Sequence, residues 1–288
     1  MEEFYFNTTE DESFSQYRHR IIGCDSGKAG FIVYVLTWII CCVGLPLIIV
    51  TIGTLYYLVR KDHVAPVYII NLLTSDIIQL CSMVMKEEVF NDWKTYQIFY
   101  CSYYFGLLVS VGFMLCISLE RYLVIAHPLW YRYRRTIKSS VIISIVVWVF
   151  PLACVLPFYL MFTYKATVTM FSVFLLLPFP LLMFLMGGTL RALSSARSVP
   201  SDEKRRIVAI LVVVLLIYTM LFLPSIIWSL TDGAKSNCVF SCVTLTLIQL
   251  SPLADLTMYV FIRKGAIDNV LSSLCCDKMD SDVDTQHE

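Results

Sequence analysis

Seven long apolar runs separated by short polar stretches make up most of the chain. They fall at approximately 29–58, 65–86, 96–124, 138–161, 166–194, 203–231 and 237–262. As a helix, about 20 mostly apolar residues cross a hydrocarbon core, and each run is long enough. The fourth and fifth are separated only by Thr163-Tyr164-Lys165-Ala166-Thr167. The pattern predicts an all-α, integral membrane bundle of seven transmembrane helices. Residues 263–274 are amphipathic and read as a short helix on the membrane surface. The chain then divides into an extracellular N-terminal segment, 1–28, a seven-helix domain, 29–262, the surface helix, 263–274, and a cytoplasmic tail, 275–288. The tail is polar and acidic, a composition that predicts disorder.

Composition agrees. Hydrophobic residues make up 58% of the 288 and charged ones 15%. A soluble domain is about a quarter charged. Formal net charge is zero, which argues against nucleic acid as a partner. The basic residues are unevenly placed. With the N-terminus outside, the inner side holds Arg60, Lys61, Arg121, Arg132, Arg134, Arg135 and most of the other Lys and Arg. That bias sets the C-terminus inside, in the plasma membrane. Met1-Glu2-Glu3-Phe4 lacks the basic start of a signal peptide, so the first helix is expected to direct insertion. Asn7 opens an Asn-Thr-Thr glycosylation acceptor on the outer side. Cys275 and Cys276 follow the surface helix and suit palmitoylation.

Ionisable residues within spans are costly, and so are functional candidates. Asp76 lies in the second span and Asp255 in the seventh. Two carboxylates at similar depth repel, and they can share a sodium ion, share a proton or raise one pKa. Ser110 offers a third oxygen, and oxygen suits a hard cation. The alternative is a pair of acids that merely hydrogen-bond helices together. No other cofactor is expected, and no metal cluster or nucleophile–base pair marks an enzyme. Glu120-Arg121-Tyr122 sets an acid beside a base at the inner end of the third span.

These residues carry a resemblance to rhodopsin-like G-protein-coupled receptors. Glu120-Arg121-Tyr122, with the following Pro128-Leu129 and Tyr131-Arg132, is similar to the end of that family's third helix. Asn71-Leu72-x-x-x-Asp76 resembles its second-helix signature. Trp148 stands for its fourth-helix tryptophan and Pro180 for its fifth-helix proline. Phe222-Leu223-Pro224 resembles the sixth-helix switch, and Asp255-x-x-x-Tyr259 a seventh-helix variant found in the nucleotide, proton-sensing, lipid and chemoattractant branch. The resemblance implies a receptor for an extracellular ligand, coupled to heterotrimeric G proteins. It makes Arg121 the central inner contact and Leu129 an apolar anchor for the G protein. Phe222 and Tyr218 would relay the outer change inward, and Tyr259 would move toward Arg121.

Several positions depart from the family. Its first-helix asparagine is Ile48, its fifth-helix tyrosine Gly188 and its seventh-helix proline Leu256. Pro252, one turn earlier, is expected to bend the seventh helix instead. The usual disulfide to the second outer loop has no partner, because no cysteine occurs between Cys154 and Cys238. Cys24 with Cys238 or Cys242 is the expected substitute, and a Cys238–Cys242 bond competes with it.

Between the outer ends of the helices, Lys86, Tyr103, Tyr104, Trp228, Ser229 and Gln249 are candidate ligand contacts. An inward Lys86 favours an anionic ligand, such as a lipid, a carboxylate or a nucleotide. A Lys86 that snorkels outward removes that inference. The losses at Ile48, Gly188 and Leu256 leave a second reading open, a receptor-like decoy or membrane partner that does not signal. A transporter or channel would show internal repeats and a polar pathway, and these are not visible.

Overall fold

A computed structural model of the protein describes residues 27–62, 67–88, 93–127, 137–161, 164–195, 201–231 and 237–259. All the regular structure among them is helical. The order is α1 (Gly27–Asp62), α2 (Val67–Glu88), α3 (Trp93–Ala126), α4 (Ile137–Met161), α5 (Tyr164–Leu176), α6 (Pro178–Ser195), α7 (Ser201–Leu230), α8 (Cys238–Gln249) and α9 (Ser251–Tyr259). In hydrocarbon every backbone polar group needs an internal partner, and a helix supplies it within one segment. Five spans are long and apolar enough to cross: Phe31–Tyr56, Val67–Lys86, Thr95–Ala126, Thr169–Ser194 and Val208–Leu230. α8 and α9 form a sixth, bent by 40°. The 25-residue α4, apolar over Lys138–Ala153, is the remaining one and the fourth in order. The expected seven-helix bundle is the fold. The surface helix expected at 263–274, and Asn7, Leu129, Cys275 and Cys276, lie outside the described residues.

The bundle is apolar on its outside and polar at points inside. Ile49, Phe184, Met220 and Val239 are all more than 60% exposed, as lipid-facing side chains should be. Asp76, Gln79, Ser110 and Asp255 are fully buried. Association of such helices depends on close packing more than on hydrophobicity, and small residues permit it. At Gly106 on α3, an added Cβ would sit 2.9 Å from Gln79 Cγ and 3.1 Å from the Ser75 carbonyl oxygen on α2. The absent side chain lets these two helices meet, and they form the most extensive pair in the molecule.

Two spans are broken where prolines remove backbone donors. The expected single fifth helix, 166–194, is two: α5 ends at Leu176, and Pro178 opens α6, a position that tolerates a missing N–H. The buried proline at this break is Pro178, whereas Pro180 is exposed. The seventh span breaks at Leu250, just before Ser251-Pro252. Pro252 cannot donate to the carbonyl of Ile248, four residues back. The bend expected from Pro252 is therefore present, despite Leu256 in place of the family's proline. At the start of α8, the Asn237 side chain accepts from the Phe240 N–H at 3.2 Å and caps the helix.

Candidate functional site: a polar core beneath a small aromatic cleft

The polar core joins α2, α3 and α9. Ser110 Oγ donates to Asp255 Oδ2 at 2.5 Å, and Gln79 Nε2 donates to Asp76 Oδ1 at 3.3 Å. The two carboxyl groups meet side chain to side chain. Asp76 Oδ2, Asp255 Oδ1 and Ser251 Oγ are buried without a hydrogen-bond partner among the described residues. The sequence singled out Asp76, Ser110 and Asp255, and the fold places all three together. Ser251 was missed. Its signal was available, because it stands one helical turn before Asp255 and so shares that face.

Beside this core, Asn71 is held by its own helix and holds another. Its Nδ2 donates to the Val67 carbonyl at 2.8 Å, and its Oδ1 accepts from Trp148 Nε1 at 2.8 Å. α2 is thereby pinned to α4, and the Trp148 ring packs near Phe105 and Phe113 of α3.

At the C-terminal end of α3, Glu120, Arg121 and Tyr122 occupy its last turns and are half-buried. Arg121 Nε is buried with no partner among the described residues. Tyr122 lies against α6 at Gly188, where an added Cβ would come within 2.9 Å of its Cε2. It also meets the ring of His127 edge-on at 6.5 Å. The glycine standing where the family has a tyrosine thus makes room for an aromatic ring from α3. Tyr259, on α9, is buried, and its hydroxyl has no partner among the described residues.

In the switch region Phe222 is fully buried, 4.8 Å from the Tyr218 ring. The Tyr218 hydroxyl donates to the carbonyl of Leu175. That carbonyl lies at the end of α5, just before the break. Pro224 lies inside α7, one residue before Ser225.

A narrow cleft, with room for about one water molecule, lies between α3, α5, α7 and α8. Tyr104 and Phe171 form one wall, their rings stacked at 4.7 Å. Ser225, Trp228 and Ser229 come from α7, and Thr244 and Ile248 from α8. Three of the six expected ligand contacts, Tyr104, Trp228 and Ser229, line it. The other three do not. Tyr103 is buried on the neighbouring face of α3, its hydroxyl donating to Ile248 O at 2.9 Å. Gln249 accepts from Thr37 Oγ1 at 3.1 Å, towards α1. Lys86 is half-buried in the last turn of α2 and stands apart from the cleft lining. Adjacent residues on a helix point about 100° apart, and here Tyr104 faces the cleft while Tyr103 turns to the Ile248 carbonyl. Phe171, Ser225 and Thr244 were missed, since nothing local distinguishes them from other apolar or hydroxyl residues in a span.

The disulfide expectation also changes. Cys242 is a free, half-buried thiol in the second turn of α8. Both pairings that used it, with Cys24 and with Cys238, are therefore absent. The helix already fixes residues 238–242, and no loop there needs stapling. The side chains of Cys24 and Cys238 lie outside the described residues.

The described residues thus form a membrane bundle with a buried acidic core and an arginine in the last turns of its third helix. A family profile described as "7 transmembrane receptor (rhodopsin family)" matches residues 46–168. Proteinase-activated receptor 2 of Rattus norvegicus is 26% identical over 289 residues, covering 85% of this chain and 71% of that protein. G-protein coupled receptor 68 of Mus musculus is 25% identical over 261 residues, covering 77% of this chain and 71% of the relative. Over residues 46–168 the chain is therefore similar to the rhodopsin family of seven-transmembrane receptors.

Proposed function

We propose that the protein is a plasma-membrane receptor with its N-terminus outside, coupling a small ligand in the outer cleft to a heterotrimeric G protein inside. The observation that carries this is Arg121: a buried guanidinium nitrogen with no partner among the described residues, at the inner end of a helix whose outer half lines the cleft. A buried N–H without an acceptor is costly, and a partner that engages the guanidinium recovers that cost. The family and both relatives' printed names, each a receptor, support the same reading. Leu129, on the inner loop that follows, is the proposed apolar anchor.

The acidic core is proposed as the switch between two populations of the bundle. Its unpartnered oxygens on Asp76, Asp255 and Ser251 suit a monovalent cation. Sodium is the proposed ion, and it would neutralise part of the paired negative charge. The ligand is proposed to be lipid-like rather than anionic, because Lys86, the residue that favoured an anion, stands apart from the cleft.

The test is ligand-free signalling from wild type and Arg121→Ala at matched surface levels, read with a panel of G-protein dissociation sensors. A basal signal lost in the variant supports coupling and identifies the transducer. A basal signal that survives Arg121→Ala overturns the role given to that residue. The runner-up reading, a non-signalling decoy, rests on Gly188. With no tyrosine there, one expected contact to Arg121 is gone, and the decoy predicts silence with every sensor.

A further inference from the structure

As it stands, the cleft is shut. It has room for about one water molecule, whereas a site for a small molecule measures about 300–1,000 Å³. For a ligand to lie there, a wall must move. Hydrogen bonds fasten most of the seams between its helices. α3 meets α8 through the Tyr103 hydroxyl, which donates to the Ile248 carbonyl at 2.9 Å. α7 meets α8 through Ser225 Oγ, donating to the Thr244 carbonyl at 3.2 Å, and through Trp228 Nε1, donating to Ser241 Oγ at 2.7 Å. α5 meets α7 through the Tyr218 hydroxyl on the Leu175 carbonyl. Between α3 and α5, the Phe171 ring lies on Tyr104 with centroids 4.7 Å apart. Parting a hydroxyl from a carbonyl inside a membrane leaves both unsatisfied. Parted rings lose contact alone, and a ligand between them restores it.

The fifth span is also built to bend below that seam. α5 is 13 residues long. Beyond it, the Leu177 N–H donates to the Val173 carbonyl at 3.2 Å. In an unbroken helix, residues 178 and 180 would donate to the carbonyls of Phe174 and Leu176. Both are prolines and have no N–H to give. The junction therefore lacks two bonds that would stiffen it. Phe171, Ser172 and Leu175 form the buried face of α5, while Val173, Leu176 and Leu177 are 40–62% exposed. α5 packs far more extensively on α7 than on α3. The Tyr218 bond grips it one turn before Pro178, so its base is held while its earlier turns are free to tilt.

From these observations, and resting on the reading of the cleft as the ligand site, we infer that α5 is a lid. It tilts about the Leu177-Pro178 junction with the Tyr218 bond as pivot, and parts Phe171 from Tyr104. Residues at the ends of elements commonly serve as such hinges. The ligand enters through the α3–α5 seam, and Phe171 closes over it.

The test is the reaction rate of a thiol placed in the cleft. Ser229→Cys supplies it, because the Ser229 hydroxyl bonds within its own helix, to the Ile226 carbonyl, and fastens no seam. The full-length chain in cell membranes is treated with N-ethylmaleimide, and each modified cysteine is quantified by mass spectrometry. Cys242, a free thiol outside the cleft lining, is the internal reference. Adding Pro178→Ala with Pro180→Ala returns both backbone donors. The introduced thiol should then react about tenfold more slowly, the ratio that two restored hydrogen bonds give. Tyr104→Leu removes the stack and should speed the reaction by about fivefold; it decides alone should the double-alanine variant fail to reach the surface. Rates that neither change moves overturn the lid. A shift of equal size at Cys242 overturns it too, because the whole bundle is then loosening. The G-protein comparison at Arg121 does not involve the reagent, so a failed lid and a failed receptor reading give different results.

Discussion

At the scale of single residues, the most informative positions are those where a polar atom has one partner and no alternative. Ser110 is fully buried and gives its proton to Asp255. Ser110→Ala would leave that carboxylate oxygen without its donor, a loss of about 1–3 kcal/mol for a buried group. The expected outcome is a lower melting temperature in detergent or nanodiscs, with surface delivery retained; an unchanged transition would mean that Asp255 finds another donor. Gly188 is informative for its packing instead. Gly188→Ala forces Tyr122 to move, and overpacking of this kind costs about 1–3 kcal/mol. Pairing it with Tyr122→Ala, which clears the space, should restore most of the lost thermal stability. Without such restoration, the close approach seen at Gly188 is not what limits the site.

At the scale of elements, the sequence and the fold agree most where the physics is strongest. Twenty apolar residues in a row leave few alternatives to a membrane helix, and each span was visible for that reason. What stayed hidden were the interruptions. Leu176-Leu177-Pro178-Phe179-Pro180 reads as apolar throughout, and only tertiary packing decides which proline marks the break. In the seventh span Pro252 was read correctly as the bend, but its consequence was not. The carbonyl of Ile248 loses its usual i+4 donor, and the Tyr103 hydroxyl reaches across from α3 to supply one. A residue that looked like a ligand contact is a strut between two helices. Tyr103→Phe should therefore destabilise the protein by about 1 kcal/mol. Pro252→Ala returns a backbone N–H to the bend, and in that background the same substitution should cost less. A double-mutant cycle on thermal stability measures the difference. Additive effects would show that the tyrosine and the proline are unrelated.

At the scale of the whole molecule, polar contacts across breaks determine how the bundle can move. α7 carries the buried pair Phe222 and Tyr218, and the Tyr218 hydroxyl is bonded to the Leu175 carbonyl at the end of α5. This is a tether between the sixth span and a broken fifth one, and a broken helix has fewer internal bonds to resist displacement. If the tether exists only in the resting population, then removing it shifts the balance toward the other. Tyr218→Phe takes away the hydroxyl while keeping the ring that packs on Phe222. The expected result is a basal G-protein signal raised by about fivefold at matched surface levels, the population change that about 1 kcal/mol produces. A signal lower than wild type would place the bond in the active population instead. An unchanged signal would mean that it persists in both, and α5 and α7 would then move as one unit. Asp76→Asn probes the same equilibrium from the opposite side of the core, because it removes one of two facing carboxylates. If the acidic core and the tether bias a single two-state transition, the double variant Asp76→Asn with Tyr218→Phe will show a change in basal signal equal to the product of the two single changes. A response that levels off is what one transition gives once its active population is nearly full, whereas a reversed response would show that they control separate motions.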